Sequence, residues 1–596
     1  MYNYSEAIKE ATNILDKHPD YVNASLLLAD IYYEIDSTGL EILYLEKALQ
    51  YSDNSSISYR LAEAGCTLGL YDKAIINYKN YLQTAKITDV RKTEVRRKIA
   101  NCEFAINAKK HPVEFQPIRL SENINTSDDE YWPSLSVNQK QLVFTRLIKN
   151  EEQIPHEDFY ESKLKSNEWS LASPIIEINT TKNEGAQSLS ADGRILFFTA
   201  CNRSNGFGSC DIYYSKKVGG KWSTPQNVGS PVNSRSWETQ PSFSSDNKYL
   251  YFSSNRPGGK GGKDIWRAEF MGFGGGGKIK WGEPENLGDS INTRGNEISP
   301  FIHANNENFY FASDYLIGMG GFDLFSSKQK TDGTFSESQN MGYPINTVGN
   351  EQGLNISADG SAAFFSSERG GGTGLDIYTF ALEEKMRPAP VTYARAKIVD
   401  AVTLKPIQAK IELVNLANIN EKRSETANDK GVAFLCFPVG ANYAFNVSEN
   451  GYLFYSQAFQ LGDSKSVTNP YKIKIELQPI KIGSEMNLYN IYFETDSFRI
   501  LPESEPELQK LVTFLSNNPT LRVEIQGHTD NSGNSIKNYN LSGFRAKSVA
   551  NYLVLKGIKP ERLLSVGYGE NRPVATNETK NGRTLNRRTT VKIVGE

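Results

Sequence analysis

The sequence predicts a multidomain protein of four module types: α-helical repeats, an all-β propeller of five blades, a β-sandwich and a C-terminal α/β domain. Three observations carry this. Small residues and helical apolar spacing recur every 33 or 34 residues near the N-terminus. A glutamate–strand–aspartate pattern recurs five times between residues 115 and 385. A dense motif lies near the C-terminus: Gly527-His528-Thr529-Asp530, Asn538, Leu541-Ser542 and Arg545-Ala546. At 596 residues the chain also exceeds what one hydrophobic core supports, about 250–300 residues.

Composition narrows the function classes. Net charge is −3, so no global basic field attracts nucleic acid. No run of about 18 apolar residues is present to span a membrane as a helix. The 31 Tyr, 29 Phe and 47 Gly suit a β-rich, turn-rich middle. Met1-Tyr2-Asn3-Tyr4 leads straight into a helical pattern without the basic and apolar segments of a signal peptide.

Residues 1–110 carry the helical repeats. Ala7, Glu41 and Ala74 fall at equivalent positions, and Leu28-Ala29, Leu45, Ala48 and Leu61-Ala62 supply the apolar spacing. The pattern resembles tetratricopeptide repeats, whose small residues let paired helices pack closely. Glu41 departs from the small-residue rule. The first repeat has its second helix, Ser5 to Lys17, without its first. Upstream sequence is therefore expected. Residues 88–109 read as a capping helix. The resemblance implies a groove for proteins or peptides, against the plainer reading of a spacer.

Residues 113–387 hold the sharper repeat. Glu130, Glu184, Glu238, Glu297 and Glu351 are spaced 54, 54, 59 and 54 apart, each before a strand-like core. Asp158, Asp211, Asp264, Asp323 and Asp376 follow in the same units. Four short strands per unit describe a propeller blade, and the units resemble TolB-type and WD40-like repeats. Five blades follow, with a sixth open if the leader at 113–126 joins the terminal strands. The carboxylate rings invite a metal or catalytic reading, but residues present in every unit more often satisfy turn backbone donors. The Gly-rich runs 272–277 and 370–374 open no helix and lack the lysine of a phosphate loop, so they read as turns.

Of the cysteines, Cys66, Cys102, Cys201, Cys210 and Cys436, two bracket a short polar loop. Cys201 and Cys210 are expected to staple a hairpin by a disulfide in an oxidising compartment, the alternative being two free thiols. With no CxxC and no Cys/His cluster, no metal site or other cofactor is expected.

After the linker Pro388-Ala389-Pro390, residues 391–480 alternate as strands at 394–399, 409–414, 432–437, 443–447 and 471–477. The opening Lys397-Ile398-Val399-Asp400 with Lys405-Pro406-Ile407 resembles the carboxypeptidase regulatory-like β-sandwich, a module without catalytic residues.

From about 487 the pattern turns α/β. Strands are predicted at 491–493, 521–526, 565–569 and 590–594, with helices over 503–518 and 541–555. Leu541, Phe544, Val549 and Leu553 form the second helix's apolar face. The ordered set from Gly527 through Asn538, Arg545, Gly557-Ile558, Gly567-Tyr568-Gly569-Glu570 and Gly582-Arg583 to Asn586-Arg587-Arg588 resembles the peptidoglycan-binding OmpA C-terminal domain over 487–596. Thr589-Thr590 departs mildly, where an apolar–acidic pair is common. The resemblance implies recognition of the diaminopimelate of the stem peptide. Asp530 then takes the ammonium and Arg545, one turn into the helix, takes the carboxylate. Thr529, Asn538, Leu541 and Arg587 complete the predicted pocket. The competing reading is that Asp530 and Arg545 merely pair with each other. His528, without a nucleophile or metal partner, reads as a loop residue.

The order of modules resembles that of peptidoglycan-binding lipoproteins associated with the type IX secretion system of Bacteroidetes. That resemblance implies a non-catalytic scaffold in the periplasm, associated with the outer membrane through a lipid anchor. Its partners would be peptidoglycan at one end and envelope or secretion proteins on the propeller and helical repeats. Two alternatives remain: an envelope-integrity protein without a secretion role, and a propeller-borne cell-wall hydrolase.

Overall fold

A computed structural model describes residues 4–149, 154–274, 278–368, 374–416, 422–440, 442–460 and 470–595. The chain forms two units, Met1–Pro388 and Ala389–Glu596.

The first unit begins with six helices: α1 Tyr4–Lys17, α2 Val22–Glu34, α3 Thr38–Gln50, α4 Ser55–Thr67, α5 Tyr71–Thr84 and α6 Asp89–Lys110. Side-chain caps start two of them. The Asn54 carboxamide accepts from Ser56 N–H, and the Thr88 hydroxyl accepts from Arg91 N–H. Ala29, Leu45, Ala48, Ala62, Ala74 and Ala105 are fully buried where the helices approach. Glu41 is buried among them and lies 3.7 Å from Arg60, which is 2.7 Å from Asp30. Burial raises the Glu41 pKa, and Arg60 opposes that shift. The large residue is tolerated at a small-residue position because a cation reaches it.

The rest of the unit, residues 118–381, forms five antiparallel sheets. Their first strands begin at Asp129, Glu184, Glu238, Glu297 and Asn355. Ser134, Ser188, Ser242, Phe301 and Asn355, one from each sheet, line a shared cavity of about 50 Å³. The backbone turns two residues after each repeat glutamate, within the first strand in four sheets and just before it in the fifth. Trp132, Ala186, Gln240 and Ser299 have φ between 49° and 56° there, and Gly353 has 70°. The ladder slips at the four non-glycine sites, as a bulge requires.

The leader strand Ile118–Arg119 pairs with Asp376–Ala381 and completes the fifth sheet. Among the described residues it starts no sixth sheet. Asn125 strengthens the closure by exchanging two hydrogen bonds with the backbone of Ile377. Asn179, Asn233, Asn292 and Asn346 do the same for Phe159, Ile212, Ile265 and Leu324. This asparagine ladder is absent from the sequence reading. Cys201 and Cys210 face each other across two neighbouring strands and are bonded, with an S–S distance of 2.00 Å. Of the Gly-rich runs, residues 275–277 and 370–373 lie outside the described residues.

The helices dock on the fourth sheet. The Tyr71 hydroxyl donates to Met319 O at 3.1 Å, and Arg97 donates to Tyr315 O at 2.9 Å while stacking on that ring. Met319 joins the core formed by Tyr71, Ala74 and Ile99.

The second unit opens with a three-stranded sheet (Val391–Asp400, Val432–Pro438, Tyr471–Leu477) and a four-stranded one (Lys410–Asn415, Lys422–Thr426, Asn442–Ser448, Tyr455–Gln460). Ala396, Ile398, Ile411, Leu413, Phe437 and Phe445 form their shared core. The strands at 422–426 and 455–460 exceed those predicted. They are the two edges of the four-stranded sheet, and Lys422–Thr426 lacks an apolar face because its side chains are exposed or half-buried.

A second sheet system follows: β1 Glu485–Leu488, β2 Arg522–His528, β3 Leu563–Gly569 and β4 Thr589–Gly595, in the order β1-β4-β2-β3. Helices α7 Glu505–Asn517, α8 Ser535–Leu555 and α9 Lys580–Asn586 accompany it. The predicted strand at 491–493 is not formed, and β1 takes its place. The Glu507 carboxylate captures Asn490 N–H and the Ser504 hydroxyl captures Tyr492 N–H, which removes these donors from the sheet. Only Phe493 pairs, in an isolated bridge to Ile500. Helix α8 starts at Ser535 rather than 541 because Asn534 caps it, accepting from Lys537 N–H at 3.0 Å.

Candidate functional site

The helix face turned to the sheet differs from the predicted one. Asn538, Ser542, Ala546, Val549 and Leu553 are buried, whereas Phe544 is exposed and Leu541 half-buried. Small residues occupy this face because α8 lies nearly on the strands. A Cβ on Gly527 would stand 2.0 Å from Ser542 O, and one on Gly567 would stand 2.4 Å from Gly543 N. The Ser542 hydroxyl accepts from Gly569 N–H and donates to Tyr539 O, pinning helix to strand. Phe544 instead packs on Phe498.

Close packing puts the loop after β2 against α8. Thr529 N–H donates to Gly569 O, so the loop leaves the sheet at a defined point. Asp530 follows, with its carboxylate buried. It accepts from Ser532 N–H at 2.9 Å and from the Arg587 guanidinium at 2.6 Å. Burial opposes ionisation, but the Ser532 N–H and Arg587 outweigh it and hold the Asp530 carboxyl below its ordinary pKa. Asn538 braces the loop by donating to Ser532 O and to Glu570, both at 3.0 Å.

Arg545 lies three turns into α8 rather than one. Its Nε donates to Ser497 O at 3.0 Å, and its guanidinium stacks on Phe493. Burial and nearby Arg587 lower its pKa against the pull of Asp496, but an arginine stays charged at neutral pH. Among the described residues no carboxylate reaches it within ion-pair distance. Asp530 and Arg545 are therefore not each other's ion-pair partners. The cation on Asp530 is Arg587, 57 residues further along the chain.

Arg587 is positioned by α9. Asn586 beside it is fully buried and accepts from Val574 and Ala575 N–H while donating to Ala575 O and Asn577. That network anchors the end of α9 and leaves the Arg587 side chain at the surface, about half exposed.

Under the loop, His528 is buried and stacks on Tyr568 with ring centroids 5.6 Å apart. Burial, then Arg588 and Arg572, lowers its pKa to about 4. A neutral imidazole is held there. Thr590 fits this polar layer: its hydroxyl donates to Gln526 and meets His528 Nε2 at 3.4 Å.

The Arg587 guanidinium, the Asp530 carboxylate and the Asn538 carboxamide thus gather at one loop, and Arg545 lies near enough to Arg587 for that charge to lower its pKa. The Thr529 hydroxyl is buried without a hydrogen-bond partner among the described residues. Such a set offers donors to a carboxylate and an acceptor to an ammonium. Glu570, to which sequence reasoning assigned no role, joins it through Asn538. Its only signal was its place in the Gly567–Glu570 run. Among the described residues no group of three or more His, Cys, Asp or Glu is arranged to hold a metal ion.

The repeated carboxylates of the first unit do different work. Glu130, Glu184, Glu238, Glu297 and Glu351 each accept from the N–H and hydroxyl of the Thr or Ser four residues earlier. Arg146, Arg203 and Arg256 neutralise the first three. Asp211, Asp264 and Asp323 accept turn N–H groups. These contacts account for the repetition structurally. A separate concavity of about 690 Å³ beside α2–α4 is lined by Asp30, Glu34, Glu41 and Glu63 with Arg60.

Comparison with known proteins places the family relationship at this end of the chain. Residues 492–587 match the OmpA family. Outer membrane porin F of Pseudomonas fluorescens is 41% identical over 99 residues, which make 17% of this chain and 30% of the porin. The peptidoglycan-binding protein ArfA of Mycobacterium bovis is 38% identical over 103 residues, 17% of this chain and 32% of ArfA. The chain thus spans about a third of the length of these curated relatives. Among solved structures, the peptidoglycan-associated lipoprotein of Burkholderia pseudomallei is 29% identical. That match covers 18% of this chain and 88% of the lipoprotein, with a TM-score of 0.17.

Proposed function

Proceeding from an OmpA-like C-terminal domain, we propose that the protein is a non-catalytic envelope scaffold that binds peptidoglycan through the loop after β2. The carrying observation is the OmpA-family match over 492–587, which contains Asp530, Arg545 and Arg587. In this reading the ligand is the free amino-acid end of diaminopimelate in the stem peptide. Its ammonium meets Asp530, its carboxylate meets Arg545, and Thr529, Asn538, Leu541 and Arg587 border the pocket. Among the described residues the Thr529 hydroxyl has no hydrogen-bond partner and Arg545 no carboxylate within ion-pair distance, which supports it, since both gain a partner from such a ligand. Arg587 already occupies Asp530, so the ligand ammonium shares that carboxylate with it.

The remaining modules follow the same proposal. Six helices over 1–110 are read as tetratricopeptide-type repeats. The five sheets within 113–387 are read as propeller blades around the shared cavity, and 391–480 as a carboxypeptidase regulatory-like β-sandwich. The OmpA-like domain occupies 487–596. The helical repeats and propeller hold envelope proteins, and the acidic concavity beside α2–α4 favours a partner segment rich in Lys and Arg. The module order resembles PorE, so the tethered machinery is proposed to be the type IX secretion system, in the periplasm beside the outer membrane.

Sedimentation with purified sacculi tests the core of this reading. The protein should pellet with sacculi, and an Asp530→Ala/Arg545→Ala variant should stay in the supernatant. Equal retention of the two would refute the pocket. Crosslinking in cells to secretion components separates the tether from an integrity protein, and muropeptide release by the purified chain would instead indicate a hydrolase.

A further inference from the structure

Two cysteines far from the peptidoglycan pocket face each other. Cys66 on α4 and Cys102 on α6 are 36 residues apart in sequence, yet their Sγ atoms lie 3.4 Å from each other. Neither is in a disulfide. The sulfurs need to close by about 1.4 Å to reach the bonding distance of about 2.05 Å. Packing brings them together, because Ala62, Ala74 and Ala105 let α4, α5 and α6 share one core.

Access is asymmetric. Cys102 is buried and Cys66 half-buried. Both line a cavity of about 310 Å³ with Tyr78, Lys98 and Met319. The hydrogen bond with Cys102, with help from Tyr78 and Lys98, lowers the Cys66 pKa against burial and the nearby Glu63 carboxylate, while the Cys102 thiol is pushed up by that bond and by burial. Cys66 is therefore the more accessible and more nucleophilic sulfur. The Cys201–Cys210 disulfide elsewhere in the unit is compatible with an oxidising compartment.

We propose that Cys66 and Cys102 are a redox-active dithiol that a small disulfide oxidant converts into an intramolecular disulfide, bonding the last helix α6 to α4. The Cys66 thiolate attacks one sulfur of the oxidant, its S–S bond breaks, and one small thiol leaves. The Cys102 thiol then gives up its proton and attacks Cys66 Sγ, expelling the second small thiol. Two protein thiols and one oxidant disulfide become one protein disulfide and two small thiols, so protons and electrons balance. Because α6 carries Arg97 to Tyr315 O, the bond also secures the docking of the helices on the fourth sheet.

The test uses the full chain, reduced, desalted and treated with oxidised glutathione, then acid-quenched, alkylated and mapped by peptide mass spectrometry. The expected product is a peptide pair linked through Cys66 and Cys102 in most molecules. In a Cys102→Ser variant, Cys66 is expected to persist as a glutathione adduct. The proposal is overturned if wild-type Cys66 and Cys102 remain separately alkylated while Cys201–Cys210 re-forms. It is equally overturned if wild-type Cys66 accumulates a stable glutathione adduct. The wild-type map decides the matter even if the variant does not fold.

Discussion

Replacing Asp530 by Asn keeps the size of the side chain and removes its charge. In the structure the carboxylate holds two contacts: Ser532 N–H at 2.9 Å and Arg587 at 2.6 Å. An asparagine oxygen can keep the first, so the loop should retain its course. The charge is what a ligand ammonium would meet, and Arg587 would then repel that ammonium uncompensated. A hydrogen bond to a charged group contributes about 1.5–3 kcal/mol, which corresponds to binding weaker by about 10- to 150-fold. The assay is fluorescence anisotropy with a labelled diaminopimelate-containing muropeptide at fixed salt, since partly exposed charges are screened. An Arg545→Gln variant should lose a similar amount, and amidation of the ligand carboxylate should abolish the difference between Arg545→Gln and wild type. Binding of Asp530→Asn within twofold of wild type, with thermal stability retained, would refute the assignment of the ammonium to this carboxylate.

Three further outcomes follow from the packing and the buried charges. Among the described residues Glu297 has no arginine within ion-pair distance, unlike the glutamates of the first three repeats, and burial, opposed by Thr293 and Ser313, raises its pKa to about 7. The folded state keeps a proton that the unfolded state releases above about 4.5, so stability of the first unit should fall as pH rises from 4.5 to 7. That loss is on the order of 3 kcal/mol, and Glu297→Gln should flatten it in denaturant titrations at several pH values. His528 has the opposite sign: its folded pKa of about 4 lies below the ordinary 6.5, so its contribution is present above 6.5 and lost as pH falls towards 4. Resonances of ¹³C-labelled histidine, with His528→Gln to assign the peak, should show this ring neutral at pH 5. Gly567→Ala places a Cβ 2.4 Å from Gly543 N and should destabilise the C-terminal domain by about 1–3 kcal/mol, read as a lower unfolding midpoint.

Much of the architecture was legible because repetition multiplies weak signals. One glutamate before one strand means little, but five at spacings of 54 to 59 mark equivalent places in five sheets. The asparagine ladder has the same spacing and was overlooked, because a lone Asn near a turn is ordinary and its two backbone bonds reach a strand of the unit before it. The early start of α8 was hidden for a related reason. Its buried face is Asn538, Ser542 and Ala546, residues that carry little apolar periodicity. The more hydrophobic Phe544 points outward, and a pattern based on hydrophobicity follows it in the wrong direction.

The sequence by itself placed Asp530, Arg545 and Arg587 in one ordered motif near the C-terminus, within the stretch that matches the OmpA family. It also determined that the chain is modular, because periods of about 34 and 54 residues cannot share one fold. Only the tertiary structure decided who partners whom. Asp530 meets Arg587 rather than Arg545 because α9 and its buried Asn586 bring a distant guanidinium to the loop, while Ser497 O and Phe493 hold Arg545. Likewise the leader strand completes the fifth sheet because Asn125 and Ile377, 252 residues apart, share two hydrogen bonds. Pairings between distant segments depend on how whole elements pack, and local residue patterns carry no record of that.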